Sequence, residues 1–395
     1  MLKRESEKTL LELYESFPVV TITGPRQSGK TTLVKSCFPE KPYVSLENPT
    51  TREFADNDPV GFLNQYPEGA ILDEIQRAPV LLSYIQTIVD EKQKNGLFVL
   101  TGSNQFEYIS SIDQSLAGRT GILKLLPFSY NELYSGDTPS LDDVLYSGFY
   151  PRIHDRKIKP VNFHSSYLST YLERDVRQIS KVHDLSLFQK FVGLCAGRTG
   201  QILNKSGLGN ECGISNKTVE EWLSVLEAGF VIYRLRPYYK NMNKRLIKSP
   251  KLYFYDTGLV CYLLRIEDIS QIVNHPLRGE IFETFIISEL IKKRLHFGRS
   301  DNIYYFRESN GNEIDVIIDT GEGPIPVEIK SGQTVNQSMF KNLKYFSRIE
   351  KDTKASGLII GKEGFEKRTD CLIGGYSSVY KLYDQLVVKS DAVKF

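Results

Sequence analysis

The chain has 395 residues, of which 41% are apolar and 25% charged, and it carries a formal net charge of +2. That length predicts two or three domains, and the composition is ordinary for a soluble globular protein. With so small a net charge, any affinity for nucleic acid must come from local clusters. Five scattered cysteines (Cys37, Cys195, Cys212, Cys261 and Cys371) form no CxxC pair. They argue against a disulfide framework or a zinc ribbon and suit a reducing compartment.

The opening stretch, MLKRESEKTLLELYESF, is charged and helical in pattern, without the apolar core of a signal peptide. No apolar run reaches membrane-spanning length, so a cytoplasmic protein with no membrane segment is expected. Next, VVTITGPRQSGKTTLVKSCF runs from a β-branched strand through a Gly-rich turn into a helical pattern. Gly24, Gly29, Lys30 and Thr31 match GxxxxGK[ST], with Pro25, Arg26, Gln27 and Ser28 between the glycines and Thr32 just after. Such a loop wraps phosphates with backbone N–H groups, and the following helix adds its positive end. Lys30 is the group expected on the β- and γ-phosphates of ATP, and the Thr31 hydroxyl is a ligand for Mg²⁺.

GAILDEIQ (69–76) is an apolar run ending in Asp73 and Glu74, as at the carboxyl end of a parallel strand. Asp73 can hold the Mg²⁺ hydration shell and Glu74 can orient water, although acids after apolar runs also serve as plain solvated strand ends. LFVLTGSNQ is a further buried strand, after which Asn104 can contact the γ-phosphate or the lytic water, or simply form a turn. Arg119, in SLAGRTGILKLLPFSYNELY, is either a surface residue or an arginine supplied in trans to a neighbour's nucleotide, with no evident partner within its own site. The order GxxxxGKT, ILDE, LTGSN and LAGR…LPFSYNEL resembles the AAA+-type P-loop ATPases. With GFYPR (148–152) and TYLERDVRQI (170–179), it resembles the bacterial and archaeal branch that carries a C-terminal domain of uncharacterised function, the DUF4143 type. The resemblance implies ATP hydrolysis with Mg²⁺ and a homo-oligomeric ring such as a hexamer, with Glu74, Asn104 and Arg119 in catalytic roles.

From about 160 to 235 the periodicity turns helical. A short helix, a turn at Gly213 with Ser215 as N-cap, and a second helix over 216–228 precede a strand, a basic loop and another strand. This resembles a winged helix-turn-helix, with Asn216, Lys217 and Thr218 opening the recognition helix. Lys240, Lys244, Arg245 and Lys248 line the loop beside Tyr238, Tyr239 and Asn241, a pattern that suits DNA phosphates. Winged helices also join proteins, so both partners stay open; Trp222 is expected in the core.

RGEIFETFIISELIKKRLHF then reads as an amphipathic helix with Glu280 and Glu283 on nearly one face. The strand IYYFRES follows, and then the hairpin EIDVIIDTGEGPIPVEIKSG (313–332). It is expected to be half-buried, with Asp315, Glu328 and Lys330 on one side and Ile314, Val316, Val327 and Ile329 on the other. A helix (NQSMFKNLKYFSR) and a strand (ASGLIIG) complete the order of a restriction-endonuclease-like core. The set resembles the PD-(D/E)xK signature, which implies metal ligands Glu283, Asp315 and Glu328 and a catalytic Lys330. The same fold also serves as a nucleic-acid-binding platform without cleavage.

The expected architecture is thus α/β and multidomain. Residues 1–150 form a P-loop AAA+ parallel-sheet core, 151–255 a helical and winged-helix middle, and 256–395 a restriction-endonuclease-like α/β domain. The expected protein is an ATP-hydrolysing motor on DNA, branched or junction DNA included, or else a nucleotide-gated DNA- or protein-binding regulator that does not cut.

Overall fold

The computed structural model describes residues 2–103, 115–171, 184–238, 248–369 and 371–391. The chain folds as two compact units. The first comprises Met1–Phe128, Ala228–Phe230 and Arg294–Ser300; the second comprises Ser129–Glu227, Val231–Lys293 and Asp301–Phe395.

In the first unit the described elements run α1 (Glu7–Ser16), β1 (Val19–Gly24), α2 (Lys30–Cys37), β2 (Tyr43–Ser45), α3 (Pro49–Asn57) and α4 (Pro59–Asn64). They continue with β3 (Ile71–Asp73), α5 (Leu81–Lys92), β4 (Phe98–Ser103) and β5 (Thr120–Lys124). The strands form one parallel sheet in the order β2-β3-β4-β1-β5. The β-branched run VVTITG is a central strand because both of its faces are covered, the situation in which parallel strands read as continuous apolar runs. Alternation sends Val20, Ile22, Ile71 and Val99 into one core with Leu10, Leu33 and Val34 from α1 and α2. Val19, Leu72 and Leu100 enter the other with Phe62 of α4 and Leu81 and Ile85 of α5. Each such side chain contributes roughly 1.5–3 kcal/mol on burial. β1 and β3 therefore end rigidly at the same edge of the sheet, with β4 between them.

The second unit begins with helices α6 (Tyr130–Leu133), α7 (Leu141–Ser147), α8 (Pro151–Arg156), α9 (Pro160–Tyr171) and α10 (Leu185–Ala196). GFYPR leads into α8, where Tyr150 and Ile153 pack with Phe163 and Tyr167. Most of TYLERDVRQI lies outside the described residues. Helices α11 (Lys205–Cys212) and α12 (Asn216–Ala228) are followed by the antiparallel pair β6 (Ile232–Leu235) and β7 (Lys251–Phe254). Trp222 is a core residue, edge-on to Phe188 and Phe191 at 5.0 and 5.3 Å between ring centroids.

Short helices α13 (Thr257–Leu263) and α14 (Ile269–Val273) lead to the long α15 (Arg278–Leu295). The expected amphipathic face of α15 is not observed. Ile281, Phe282, Phe285 to Ile287, Leu290 and Ile291 are all buried, and Glu289 and Lys292 are buried among them. The helix tolerates those charges because they pair at 2.8 Å and the Tyr130 N–H donates to Glu289.

The remaining elements are β8 (Ile303–Arg307), β9 (Glu313–Thr320), β10 (Gly323–Lys330), α16 (Lys341–Ile349), β11 (Gly357–Ile360), β12 (Phe365–Lys367), β13 (Leu372–Gly375) and α17 (Val379–Asp391). They form a mixed sheet in the order β12-β13-β11-β10-β9-β8. β8, β9 and β10 form an antiparallel meander, and β10, β11 and β13 pair in parallel. The hairpin is more deeply placed than its half-buried expectation, since residues 314–318 of β9 and 324–329 of β10 are buried without interruption. Interior strands of a sheet covered on both faces lose the solvent side that alternation suggests.

Candidate functional site

At the end of β1 the chain turns through Gly24 and Gly29, at φ of 152° and 94°. A Cβ on Gly24 would strike the Leu125 carbonyl, so glycine is required there. The loop closes on Lys30, whose Nζ donates to the Gly24 and Pro25 carbonyls at 2.9 and 2.8 Å. Beneath the loop, the buried Arg4 guanidinium donates to the Ser28 carbonyl at 2.8 Å and to the Leu126 carbonyl at 2.7 Å.

Across from the loop, at the end of β3, Asp73 is 6% exposed. The Thr31 hydroxyl donates to its two oxygens at 3.1 and 3.2 Å, and the Tyr43 hydroxyl donates at 2.6 Å. The Thr101 hydroxyl of β4 donates to Asp73 as well. Burial, and then the adjacent Asp73 charge, push the Tyr43 phenol well above its ordinary range, so it stays a donor. Glu74 follows in the left-handed region at φ 58°, a conformation that costs a non-glycine residue about 1–3 kcal/mol and collects at functional sites. Its carboxylate accepts from the Gln76 side chain.

The loop residues Gly24 to Thr31 and Asp73 are therefore brought together, while Thr32 is exposed on α2. A hydroxyl beside a buried carboxylate is a hard-oxygen donor set that fits Mg²⁺. Thr31 and Asp73 are the residues that would hold the ion, which neutralises phosphate charge when bound. Asn104 lies outside the described residues. Arg119, expected to have no evident partner within its own site, pairs with Asp90 of α5. Its Nε and Nη2 donate to Asp90 at 2.6 and 2.9 Å, and its Nη1 donates to the Ala117 carbonyl at 3.1 Å. The planar guanidinium meets the Asp90 carboxylate with two parallel bonds.

A second cluster lies in the other unit. The ladder between β9 and β10 ends at Val316 and Val327. Beyond it, Asp315 accepts from the Ile329 N–H at 2.8 Å. Lys330 Nζ bridges Asp315 and Glu328 at 3.0 and 2.5 Å, uniting the three expected residues. Burial opposes ionisation of Asp315, yet Lys330 and then Lys251 hold it below the usual carboxylate range. Burial, reinforced by the Asp315 charge, pushes Glu328 up to about 8. Burial disfavours the Lys330 ammonium as well, but the two carboxylates keep it above its ordinary range. One Glu328 oxygen, Oε1, is buried with no hydrogen-bond partner. That orphan acceptor beside Asp315 fits a divalent cation, which would polarise a phosphate held there.

Glu283 departs from expectation. Its carboxylate accepts from Lys251 Nζ at 3.1 Å and from the Tyr253 hydroxyl, both on β7. Among the described residues, oxygens of Glu283, Asp315 and Glu328 do not all lie within 4.8 Å of one another. The physical reason is Lys251, a buried ammonium that must be met by acids and takes Glu283 and Glu313.

On the helix-turn-helix, the Ser215 hydroxyl accepts from the Thr218 N–H at 3.1 Å, the expected cap. Asn216 donates to the Ser206 hydroxyl at 3.3 Å, and Lys217 is exposed beside Glu221. Helix α12 also carries Glu220 and Glu227, both paired with Arg234 of β6. Lys244 and Arg245 lie outside the described residues.

Sequence reasoning missed Arg4, Tyr43, Thr101, Lys251 and Tyr253. Only Lys251 had a visible signal, as a charge opening the otherwise apolar and aromatic strand KLYF.

A parallel sheet with the GxxxxGKT loop at the end of one strand and Asp73 at the end of another defines a P-loop nucleotide-binding domain. Residues 16–134 match the AAA domain family, and residues 278–374 match a domain of unknown function, DUF4143. Residues 138–270 match a further domain of unknown function, DUF8612. The chain thus joins an AAA-type P-loop ATPase domain to a C-terminal DUF4143 domain. It is similar to an uncharacterized protein of Mycobacterium tuberculosis, 28% identical over 342 residues (85% of this chain and 76% of that one). An uncharacterized protein of Haemophilus influenzae is 24% identical over 293 residues, covering 66% of this chain and 72% of that one. Among solved structures, the Walker-type ATPase PABY2304 of Pyrococcus abyssi overlaps with a TM-score of 0.44 at 15% identity, over 66% of this chain and 94% of that chain. AMPPCP-bound DnaA from Aquifex aeolicus overlaps with a TM-score of 0.28 at 12% identity, over 56% and 85%.

Proposed function

We propose that this protein hydrolyses ATP with Mg²⁺ and uses the cycle to act on DNA. The observation that carries hydrolysis is the contact of Thr31 with Asp73 at 3.1 Å, across from the phosphate loop. Lys30 would leave the Gly24 and Pro25 carbonyls for the β- and γ-phosphates, and Glu74 would orient the attacking water. Arg119 would leave Asp90 to serve a neighbour's site in a ring. Support for DNA as the client is the helix-turn-helix arrangement of α11 and α12 ahead of the β6–β7 hairpin. The decisive experiment is ATP turnover with and without single-stranded, duplex and branched DNA. Stimulation by one of these forms is expected, and turnover indifferent to all three would reject DNA as the client.

A second reading is a nucleotide-gated regulator that binds without cutting. It is favoured by helix α12, where the exposed Lys217 already has Glu221 beside it, since carboxylates repel phosphates. In the first reading the DUF4143 domain cuts DNA through Asp315, Glu328 and Lys330; in the second the same residues only position it. Incubating the protein with each DNA form and Mg²⁺ or Mn²⁺ separates the two, because cleavage lost in Lys330→Ala supports only the first.

A further inference from the structure

The acidic site of the C-terminal domain is completed by a residue from outside the hairpin and α15. Strand β7 delivers Lys251 beneath the carboxylates, where its side chain is 4% exposed. Its ammonium pairs with Glu283 and Glu313, and it also attracts Asp315 electrostatically. Arg307 holds the second oxygen of Glu313 at 3.0 Å, and Tyr253 donates to the Glu283 oxygen that Lys251 holds.

We propose that Lys251 is a positioning residue that withdraws Glu283 from the ligand set and makes this a one-cation site, built on Asp315 and Glu328. The inference rests on the reading that these two residues hold a metal ion. Charge supports it. With every carboxylate ionised, as a bound cation would hold them, Glu283, Glu313, Asp315 and Glu328 stand against Lys251, Lys330 and Arg307, leaving one negative charge in excess. A single divalent ion reverses that small excess, whereas a second would bury a large positive charge with no acid left to meet it. Geometry supports it too, since the unpartnered Glu328 Oε1 is beside Asp315 while the Glu283 carboxylate is already bonded. A buried ammonium held by two acids also has little freedom to leave, because departure would strand both charges.

The test is a Mn²⁺ titration followed by electron paramagnetic resonance, on the full chain without nucleotide and with Thr31→Ala to silence the P-loop ligand. A single Mn²⁺ per chain is expected, lost in Asp315→Asn and retained in Glu283→Gln. Lys251→Met should tighten Mn²⁺ binding about tenfold, the scale on which neighbouring groups act on metal sites. The gain should vanish in the Lys251→Met/Glu283→Gln double variant. Loss of Mn²⁺ in Glu283→Gln, or a folded Lys251→Met protein with unchanged affinity, overturns the role given to Lys251 and leaves the metal site standing. A parent protein that takes up no Mn²⁺ overturns the metal reading and the inference with it. Should Lys251→Met fail to fold, the nearly isosteric Glu283→Gln decides alone.

Discussion

The two candidate sites are assembled by different forces. At the P-loop the backbone sets most of the geometry: carbonyls of Gly24 and Pro25 hold Lys30, and two glycines at positive φ let the loop close. Its buried carboxylate, Asp73, is met by the neutral hydroxyls of Thr31, Tyr43 and Thr101. At the C-terminal cluster the side chains carry the arrangement, with Lys330 between Asp315 and Glu328 and Lys251 between Glu283 and Glu313. A site built from backbone is selective for shape and tolerates an exchange of ligands. A site built from buried opposite charges is sensitive to pH and to the loss of any one partner.

Four measurements can break or sharpen this contrast. The largest effect is expected from Lys30→Ala, which should abolish nucleotide binding in a fluorescent-ATP titration; retained affinity would remove the loop from the site. Glu74→Gln should bind ATP normally and turn over about 10²–10⁴ times more slowly, the usual contribution of a positioned proton acceptor. Unchanged turnover would return Glu74 to a strand end.

Arg119→Ala and Asp90→Ala form a discriminating pair. A trans-acting arginine predicts slow hydrolysis in the first and full activity in the second, which only releases the guanidinium. Equal defects in both would make the pair a structural tie.

The smallest effect is on stability. Burial raises Glu328 from an ordinary 4.5 to about 8, so the folded chain binds that proton more tightly than the unfolded chain does. The stability from this group is present in full below pH 4.5 and is lost as pH rises through 8. Glu283, raised to about 7 chiefly by burial, acts in the same direction. With chelator present, the melting temperature should therefore fall between about pH 5 and 8, and Glu328→Gln should flatten the fall. An identical slope in the variant would show that charge does not organise the cluster.

Much of this molecule can be read from the chain before it folds. GxxxxGKT between a β-branched run and a helix reports its own geometry, since the spacing lies within one strand–turn–helix unit. Ser215 caps α12 for the same reason: donor and acceptor are three residues apart. ExK also shows its local pairing, because Glu328 and Lys330 are neighbours on one side of a strand. Helix α15 departs from its amphipathic pattern because its burial all round depends on what packs against it. A lone Glu-to-Lys spacing inside it looks the same whether solvated or buried.

The sequence by itself determined the phosphate loop, the strand ends that face it and the hairpin acids, because each follows from periodicity and short-range spacing. Only the tertiary structure decided that Arg4 braces the loop from beneath, that Asp90 holds Arg119 and that Lys251 takes Glu283. These partners are 24, 29 and 32 residues apart along the chain. A buried charge must be matched by whatever the fold brings next to it, and no local pattern records which residue that is.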